Sequence, residues 1–131
     1  MLIALLSAVS VIALPEAVRG DFDHDGKVDI ARFEQSRPGW RRLVIRPGNK
    51  SRPLAVVGEF KEGDLPSMFL TKRKPGKVQT WCGKGGDAGD GPCVYKSLKL
   101  RGDTLAFGTK ESSEAVAYWT GKGFRVVWVS D

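Results

Sequence analysis

Apolar residues along this chain fall into short runs separated by turn residues, and no sustained 3.6-residue period is present. The pattern predicts about eight or nine short β-strands spaced roughly 8–14 residues apart. Such spacing is typical of an antiparallel sandwich, a barrel or a small propeller-like array, so the predicted fold class is all-β. The predicted strands cover residues 28–34, 40–46, 54–57, 67–70, 77–82, 94–100, 104–108, 115–119 and 124–129.

The last two predicted strands are the clearest, because they flank the glycine-rich turn of residues 120–123. Side chains alternate between the two faces of a strand. The final strand is therefore expected to place three residues on each face, namely Phe124, Val126 and Trp128 on one and Arg125, Val127 and Val129 on the other.

The amino-terminal segment is predicted to be a signal peptide. Residues 2–14 form an apolar run interrupted only by Ser7 and Ser10, and the run is shorter than the ~20 residues of a membrane span. Val11-Ile12-Ala13 offers modest side chains at the positions that a signal peptidase recognises, so we expect cleavage after Ala13. The alternative is that the run stays in the mature protein as a buried strand or core helix. Export implies a periplasmic or secreted protein without a transmembrane anchor.

The length of 131 residues predicts one domain, residues 14–131 after the leader. The formal net charge of +6 makes the surface basic. A basic surface suits nucleic acid, an anionic membrane or an acidic protein partner. No nucleic-acid-binding motif accompanies the charge, so we expect no nucleic acid. The basic residues are interpreted as a solvated face that also protects edge strands, and a face for an acidic protein partner is the alternative.

The two cysteines, Cys82 and Cys93, bracket a flexible glycine-rich insert. Two thiols could also provide half of a zinc site, but the single histidine, His24, is distant in sequence and no other soft ligand is available. A disulfide would restrict the unfolded insert and stabilise the fold by ~2–3 kcal/mol. The sequence therefore predicts a Cys82–Cys93 disulfide formed in an oxidising compartment.

The most informative segment is residues 20–29, Gly-Asp-Phe-Asp-His-Asp-Gly-Lys-Val-Asp. Alternating aspartates followed by glycine allow a sharp turn round an ion, and calcium prefers six to eight hard oxygen ligands. Crowded carboxylates repel one another unless a divalent cation neutralises them. A solvated acidic turn is the alternative. We predict a structural calcium ion held by five residues: Asp21, Asp23, Asp25, Lys27 through its carbonyl, and Asp29.

This loop is not an EF-hand, because the twelfth loop position, which requires a bidentate glutamate, is Arg32. The pattern D-x-D-x-D-G-x-x-D instead resembles the calcium loop of FG-GAP and VCBS repeats, the β-propeller blade units of integrins and secreted bacterial proteins. The resemblance covers residues 20–34, including Val28, Ile30, Ala31 and Phe33. It implies a loop that lies between two strands and leads directly into the second. With a single loop and this length, a seven-bladed propeller is excluded.

A second resemblance concerns residues 110–123. In its predicted export, calcium binding and small β fold, this chain resembles the periplasmic lysozyme inhibitors and related immunity proteins. The inhibitor of invertebrate-type lysozyme carries an S-G-x-x-Y loop and a Y-x-x-x-T-K-G segment. The counterparts here lack the glycine in the first motif and have a different spacing in the second. The resemblance implies contact with a secreted or injected peptidoglycan hydrolase, whose cleft is lined with carboxylates. The residues implied in this contact are Ser112, Ser113, Glu114, Tyr118 and Lys122.

Catalysis is not predicted. The sequence contains no nucleophile elbow, no cysteine–histidine pair and no set of zinc ligands. We therefore expect a binding protein that acts as an inhibitor of, or immunity protein against, a lysozyme-like cell-wall hydrolase. For the contact region, the alternative is an ordinary hairpin with a polar tip. For the function, the alternatives are a calcium-stabilised adhesion or glycan-binding module with Trp40, Trp81 or Trp119 on one exposed face, or a structural component of a larger envelope assembly.

Overall fold

Ten β-strands and two 3₁₀ helices form the part of the protein described by the computed structural model, residues 13–89 and 91–130. Their pairings are all antiparallel. The 3₁₀ helices are Glu62–Ser67 and Cys82–Lys84. The strands are β1 (Val18–Gly20), β2 (Asp29–Gln35), β3 (Trp40–Arg46), β4 (Ala55–Lys61), β5 (Met68–Arg73), β6 (Gly76–Gln79), β7 (Ser97–Leu100), β8 (Thr104–Thr109), β9 (Glu114–Trp119) and β10 (Phe124–Ser130).

The strands are arranged in three sheets. The first sheet has the order β1-β2-β3-β4, the second has the order β10-β9-β8-β5, and a small sheet pairs β6 with β7. The first two sheets share one hydrophobic core, so the fold is a β-sandwich, and the described residues form no closed barrel. The all-β prediction is confirmed, and the sandwich is the arrangement that the chain adopts.

The main core lies between the first and second sheets. Phe33 of β2 and Ile45 of β3 share one cluster with Leu105 and Phe107 of β8. Side chains that point inward from a strand alternate along it, which is why positions 31 and 33, and 105 and 107, are apolar. Phe60 bridges the sheets, because its ring centroid lies 5.8 Å from that of Phe33 and 6.0 Å from that of Phe107. Each large side chain contributes about 1.5–3 kcal/mol when fully buried.

A second cluster covers the other face of the second sheet. Val78 of β6 and Leu98 of β7 pack here with Ala106, Val116 and Val129. Strand β8 is consequently covered on both faces, and all of its residues except the last are buried. A strand covered on both sides carries a continuous apolar run instead of an alternating one. The small sheet therefore explains the unbroken Leu-Ala-Phe sequence of β8.

Most strand boundaries agree with the sequence prediction, and β3 matches it at both ends. The predicted strands 77–82 and 94–100 are too long, since β6 ends at Gln79 and β7 begins at Ser97. The N–H of Thr80 still donates to the carbonyl of Lys96 at 3.0 Å, but the chain then leaves β7, since the N–H of Trp81 donates to the carbonyl of Trp128 at 2.8 Å and the second 3₁₀ helix begins at Cys82. The pattern does not predict β1, because three residues carry no periodic signal.

The final strand is only partly covered. Phe124 packs against the main core, and Val127 and Val129 belong to the second cluster. Val126 and Trp128 are exposed, because β10 is the edge of its sheet. Trp128 nevertheless contacts the main core, since its ring centroid lies 6.4 Å from that of Phe107. The face that Phe124, Val126 and Trp128 were expected to share is therefore partly covered at both ends and exposed at Val126.

The predicted Cys82–Cys93 disulfide is present, with the sulfur atoms 2.02 Å apart. The predicted leader, residues 1–13, lies outside the described residues apart from Ala13, and it stays a prediction. Leu14, which follows the predicted cleavage position, is partly buried against the main core. Within the described ranges no helix has the length and hydropathy that a membrane span requires.

Candidate metal centre

The aspartate loop connects β1 to β2, and its last carboxylate, Asp29, is the first residue of β2. Asp21 closes the turn: its Oδ1 accepts the N–H of Asp25 at 3.1 Å, and its Oδ2 accepts the N–H of Gly26 at 2.8 Å. Gly26 has a φ of 84°, a left-handed conformation that glycine adopts without steric cost. The glycine in the aspartate pattern is thus required by the turn.

Asp29 ties this loop to the sandwich. The residue is fully buried, and its carboxylate accepts three backbone N–H groups: those of Phe22 at 2.8 Å and Asp23 at 3.2 Å on Oδ2, and that of Gly48 at 2.8 Å on Oδ1. Hydrogen bonds to a charged carboxylate are stronger than those between neutral groups, and they offset part of the cost of burying the charge. Asp29 therefore fixes the loop relative to β2.

Three of the predicted ligands converge. Asp21, Asp23 and Asp29 each offer one carboxylate oxygen, and these oxygens lie within 4.8 Å of one another. A calcium ion with ligands at 2.3–2.6 Å can join oxygens up to about 5 Å apart. The separation of the carboxylates therefore fits a shared cation of this size.

Asp23 gives the strongest indication that a cation belongs at this position. It is 3% exposed, and neither of its carboxylate oxygens has a hydrogen-bond partner among the described residues. Arg52 Nη1 lies 3.0 Å from Asp23 Oδ2, an ion pair without hydrogen-bond geometry. Burial, the neighbouring Asp25 carboxyl and the charge of Asp29 raise the pKa of Asp23 to about 6. Arg52 lowers this pKa but does not cancel the increase, so the carboxylate has one neighbouring cation and would be stabilised further by a second.

Asp25 and Lys27 complete the predicted ligand set. Asp25 Oδ2 is buried without a hydrogen-bond partner in the described ranges, and its Oδ1 accepts the N–H of Lys27 at 2.9 Å. That backbone hydrogen bond is the main cause that lowers the pKa of Asp25. Asp25 is not among the three carboxylates that converge, although its carboxyl group neighbours that of Asp23. The role of the Lys27 carbonyl as a ligand stays a prediction.

Residues far away in sequence support the loop, and the sequence analysis did not identify them. A Cβ on Gly48 would lie 2.3 Å from the carbonyl oxygen of Val28, so only glycine fits where the segment after β3 meets the loop. Asp103 Oδ2 accepts the N–H of Asp21 at 2.8 Å from the other side. The one signal that could have indicated the first contact is the Pro47-Gly48 turn directly after a strand.

The first of the two predicted partner-binding regions is the turn before β9, which we call the serine turn (residues 110–113). Ser112 lies at its exposed tip, while Ser113 Oγ accepts the N–H of Thr109 at 3.2 Å. Glu114, the first residue of β9, forms an ion pair with Arg73. The serine hydroxyl and the carboxylate are therefore partly engaged within the protein.

The second region lies at the opposite end of β9. Tyr118 is the penultimate residue of that strand, and Lys122 is exposed in the turn between β9 and β10, which we call the hairpin turn (residues 120–123). Thr120 stabilises this turn, because its N–H donates to the carbonyl of Gly123 at 2.9 Å. The structure therefore places the predicted contacts on two separate surfaces.

A cleft of about 360 Å³ lies between the aspartate loop and the hairpin turn. Asp23 and Arg52 line one side, and Leu54, Trp119 and Lys122 are among the residues that line the rest. The guanidinium carbon of Arg52 lies 5.0 Å from the centroid of the Trp119 ring, close enough for a cation–π contact. Arg52 therefore touches both the candidate ligand Asp23 and the base of the hairpin.

Comparison with known proteins does not identify a family, because no protein-family model, no curated protein and no solved structure matches this chain. The resemblances to FG-GAP and VCBS loops and to lysozyme inhibitors consequently stay predictions.

Proposed function

We propose that this protein is a calcium-stabilised binding protein. The observation that carries the proposal is the buried Asp23 carboxylate, which lacks hydrogen-bond partners in the described ranges and lies within ligand range of Asp21 and Asp29. Calcium tolerates irregular geometry and takes many oxygen ligands, as this loop offers. The ion would neutralise the three carboxylates and hold the loop against β2. Its role is structural, since protein oxygens would fill much of its coordination sphere.

The proposed partner is a lysozyme-like cell-wall hydrolase, which the protein inhibits in the periplasm or outside the cell. Such enzymes use paired carboxylates in an open cleft. The protein carries a net charge of +6, and the hairpin turn presents the exposed Lys122 at the tip of a turn held by hydrogen bonds. The serine turn is less suited to such a cleft, because it carries the exposed carboxylate of Glu111. Charge complementarity therefore favours the hairpin turn as the contact.

Replacing Lys122 by glutamate is expected to weaken the complex with the hydrolase by at least about tenfold, because a carboxylate would then face the carboxylates of the enzyme. The measurement is inhibition of peptidoglycan lysis by a panel of purified lysozyme-type enzymes, with the dissociation constant determined by calorimetry for every enzyme that is inhibited.

Lys110→Glu is the matched control, since it makes the same change of charge at the exposed serine turn, on the far end of β9. It should leave the affinity unchanged within about twofold, if long-range charge effects are small. Loss of affinity in Lys110→Glu alone would move the contact to the serine turn. If the wild-type protein neither binds nor inhibits any enzyme of the panel, the proposed partner is wrong.

Glycan binding is the second candidate function, and one cleft favours it. Trp81 and Trp128 line a cavity of about 250 Å³ together with Asp87 and Ser113. Aromatic rings can stack on sugar rings while a carboxylate and a hydroxyl bind sugar hydroxyls. Trp40 is not part of this cleft, since it packs under Arg37 with 4.3 Å between the guanidinium carbon and the ring centroid. Binding on a glycan array by a protein that inhibits no hydrolase would favour this function.

A further inference from the structure

A third cleft, of about 320 Å³, lies on another flank of the hairpin. The aspartate loop, the end of β7 with the residues that follow it, and the strands β9 and β10 border this cleft. Its lining is basic and hydroxylated and contains no carboxylate, and we call it the cationic cleft. The residues that line it include His24, Lys99, Arg101, Tyr118, Thr120 and Arg125.

The cations of this cleft are not neutralised within the described part of the chain. No described carboxylate lies within 4.0 Å of the charged groups of Lys99, Arg101 or Arg125. Asp103, the nearest acid in sequence, binds elsewhere: its Oδ2 accepts the N–H of Asp21, and its Oδ1 lies 3.9 Å from Lys72 Nζ. Only the backbone carbonyl of Asp103 lies near the lining of the cleft, with its oxygen 3.2 Å from Nε2 of His24. Positive charge is therefore concentrated here without internal compensation.

Arg125 is also held in a defined orientation. Its Nη1 donates to the hydroxyl of Tyr118 at 3.1 Å, and its guanidinium carbon lies 4.7 Å from the centroid of the Tyr95 ring. A guanidinium that is already oriented loses less conformational freedom when it binds an anion. Thr104 and Thr120 border the same cavity, but Thr104 is buried and the Thr120 hydroxyl already donates to the carbonyl of Gly123 at 2.9 Å, so the charged side chains are the donors that a ligand would meet.

We infer that the cationic cleft is an oxyanion-binding site and that, in the complex with the acidic partner, it accepts a carboxylate of that partner. Arginine recognises carboxylates and phosphates through paired N–H groups, so two arginines beside a lysine form a receptor for such a group. The carboxylate as occupant rests on the proposed function, whereas the oxyanion site rests on the cleft alone.

The test is a titration, followed by ¹H–¹⁵N NMR, of the calcium-loaded protein with two probes: a tetraglutamate peptide and inorganic phosphate. The expected result is saturable binding of tetraglutamate, with shifts confined to the lining of the cleft. The double variant Arg101→Gln/Arg125→Gln should weaken that binding by about tenfold or more, because the paired donors are lost. Lys50→Gln/Lys74→Gln removes the same charge from exposed positions outside the cleft and should change the affinity less than about twofold.

Equal weakening in the two double variants, or no saturable binding of either probe, would overturn the site. Binding of phosphate without binding of tetraglutamate would overturn the carboxylate assignment. Both variants are first checked for an unchanged melting temperature; if the arginine pair proves unstable, Lys99→Gln with Arg125→Lys replaces it. If tetraglutamate binds through the arginines but no hydrolase is inhibited, the proposed partner fails and the oxyanion site stands.

Discussion

The Asp23→Asn variant is expected to lose the stabilisation that calcium gives the wild type. Without metal, at pH 7, the variant should be at least as stable as the wild type. Asp23 is buried beside two other carboxylates, and its oxygens lack hydrogen-bond partners in the described ranges. In the wild type, calcium at about 100 times its dissociation constant should add about 2.7 kcal/mol. For a domain of this size that is a rise in melting temperature of roughly 10 °C. The variant should show almost none of it.

The metal-free comparison depends on pH in a defined direction. The folded-state pKa of Asp23 is raised from 3.8 to about 6, so the folded protein binds this proton more tightly than the unfolded chain. With respect to Asp23, the metal-free wild type is thus most stable below about pH 4 and loses stability as the pH rises towards about 6. The Asp23→Asn variant does not lose stability over this pH range, because asparagine carries no ionisable carboxyl group. It should exceed the wild type by up to about 3 kcal/mol at pH 7 and by little at pH 4.

Thermal unfolding followed by circular dichroism, with calcium and with chelator, measures both effects. Asp64→Asn, an exposed acidic position in the first 3₁₀ helix, serves as the control and should keep the full calcium response. A variant that is destabilised without calcium yet still stabilised by it would contradict the assignment of Asp23 as a ligand.

Replacing Asp29 by alanine is expected to destabilise the protein strongly whether or not calcium is present. The buried carboxylate accepts the N–H groups of Phe22, Asp23 and Gly48, and alanine would leave these donors without an acceptor. Each buried unsatisfied group costs ~1–3 kcal/mol, so a loss of about 3–5 kcal/mol is expected. That is a large fraction of the ~5–15 kcal/mol that stabilises a typical domain.

Urea unfolding at pH 7 measures the free energy of unfolding of each variant. Asp29→Asn keeps one acceptor oxygen and should fall between alanine and the wild type, while Asp64→Ala should cost less than about 0.5 kcal/mol. An Asp29→Ala protein with a wild-type free energy of unfolding would show that these hydrogen bonds do not hold the loop. Together these experiments distinguish the roles of the two aspartates: we expect Asp23 to act mainly as a ligand of the ion and Asp29 mainly to stabilise the fold.

Local sequence patterns could predict most of the strands, because apolar runs and turn residues act over short distances. They could not predict that β8 is covered on both faces, since that depends on β6 and β7 packing from another part of the chain. The errors at residues 80–82 and 94–96 have a similar origin. The N–H of Trp81 donates to the carbonyl of Trp128 in β10, and the composition of the strand does not reveal this contact with a distant segment.

The candidate metal centre is predictable to the extent that it is local. The spacing of the aspartates and the glycine is enough to indicate a cation loop, and Asp21, Asp23 and Asp29 do converge. The contacts of Gly48 and Arg52 with the loop were not predictable, because 19 and 29 residues separate the groups that meet. The cationic cleft is similarly built from three separate segments of the chain.

Isothermal titration of the chelator-treated protein with calcium measures directly whether the aspartate loop binds the ion. We expect saturable heat of binding to a single class of sites, weaker binding of magnesium, and loss of the heat in Asp23→Asn. Absence of binding heat, together with a melting temperature that chelator does not change, would show that the aspartate loop holds no calcium.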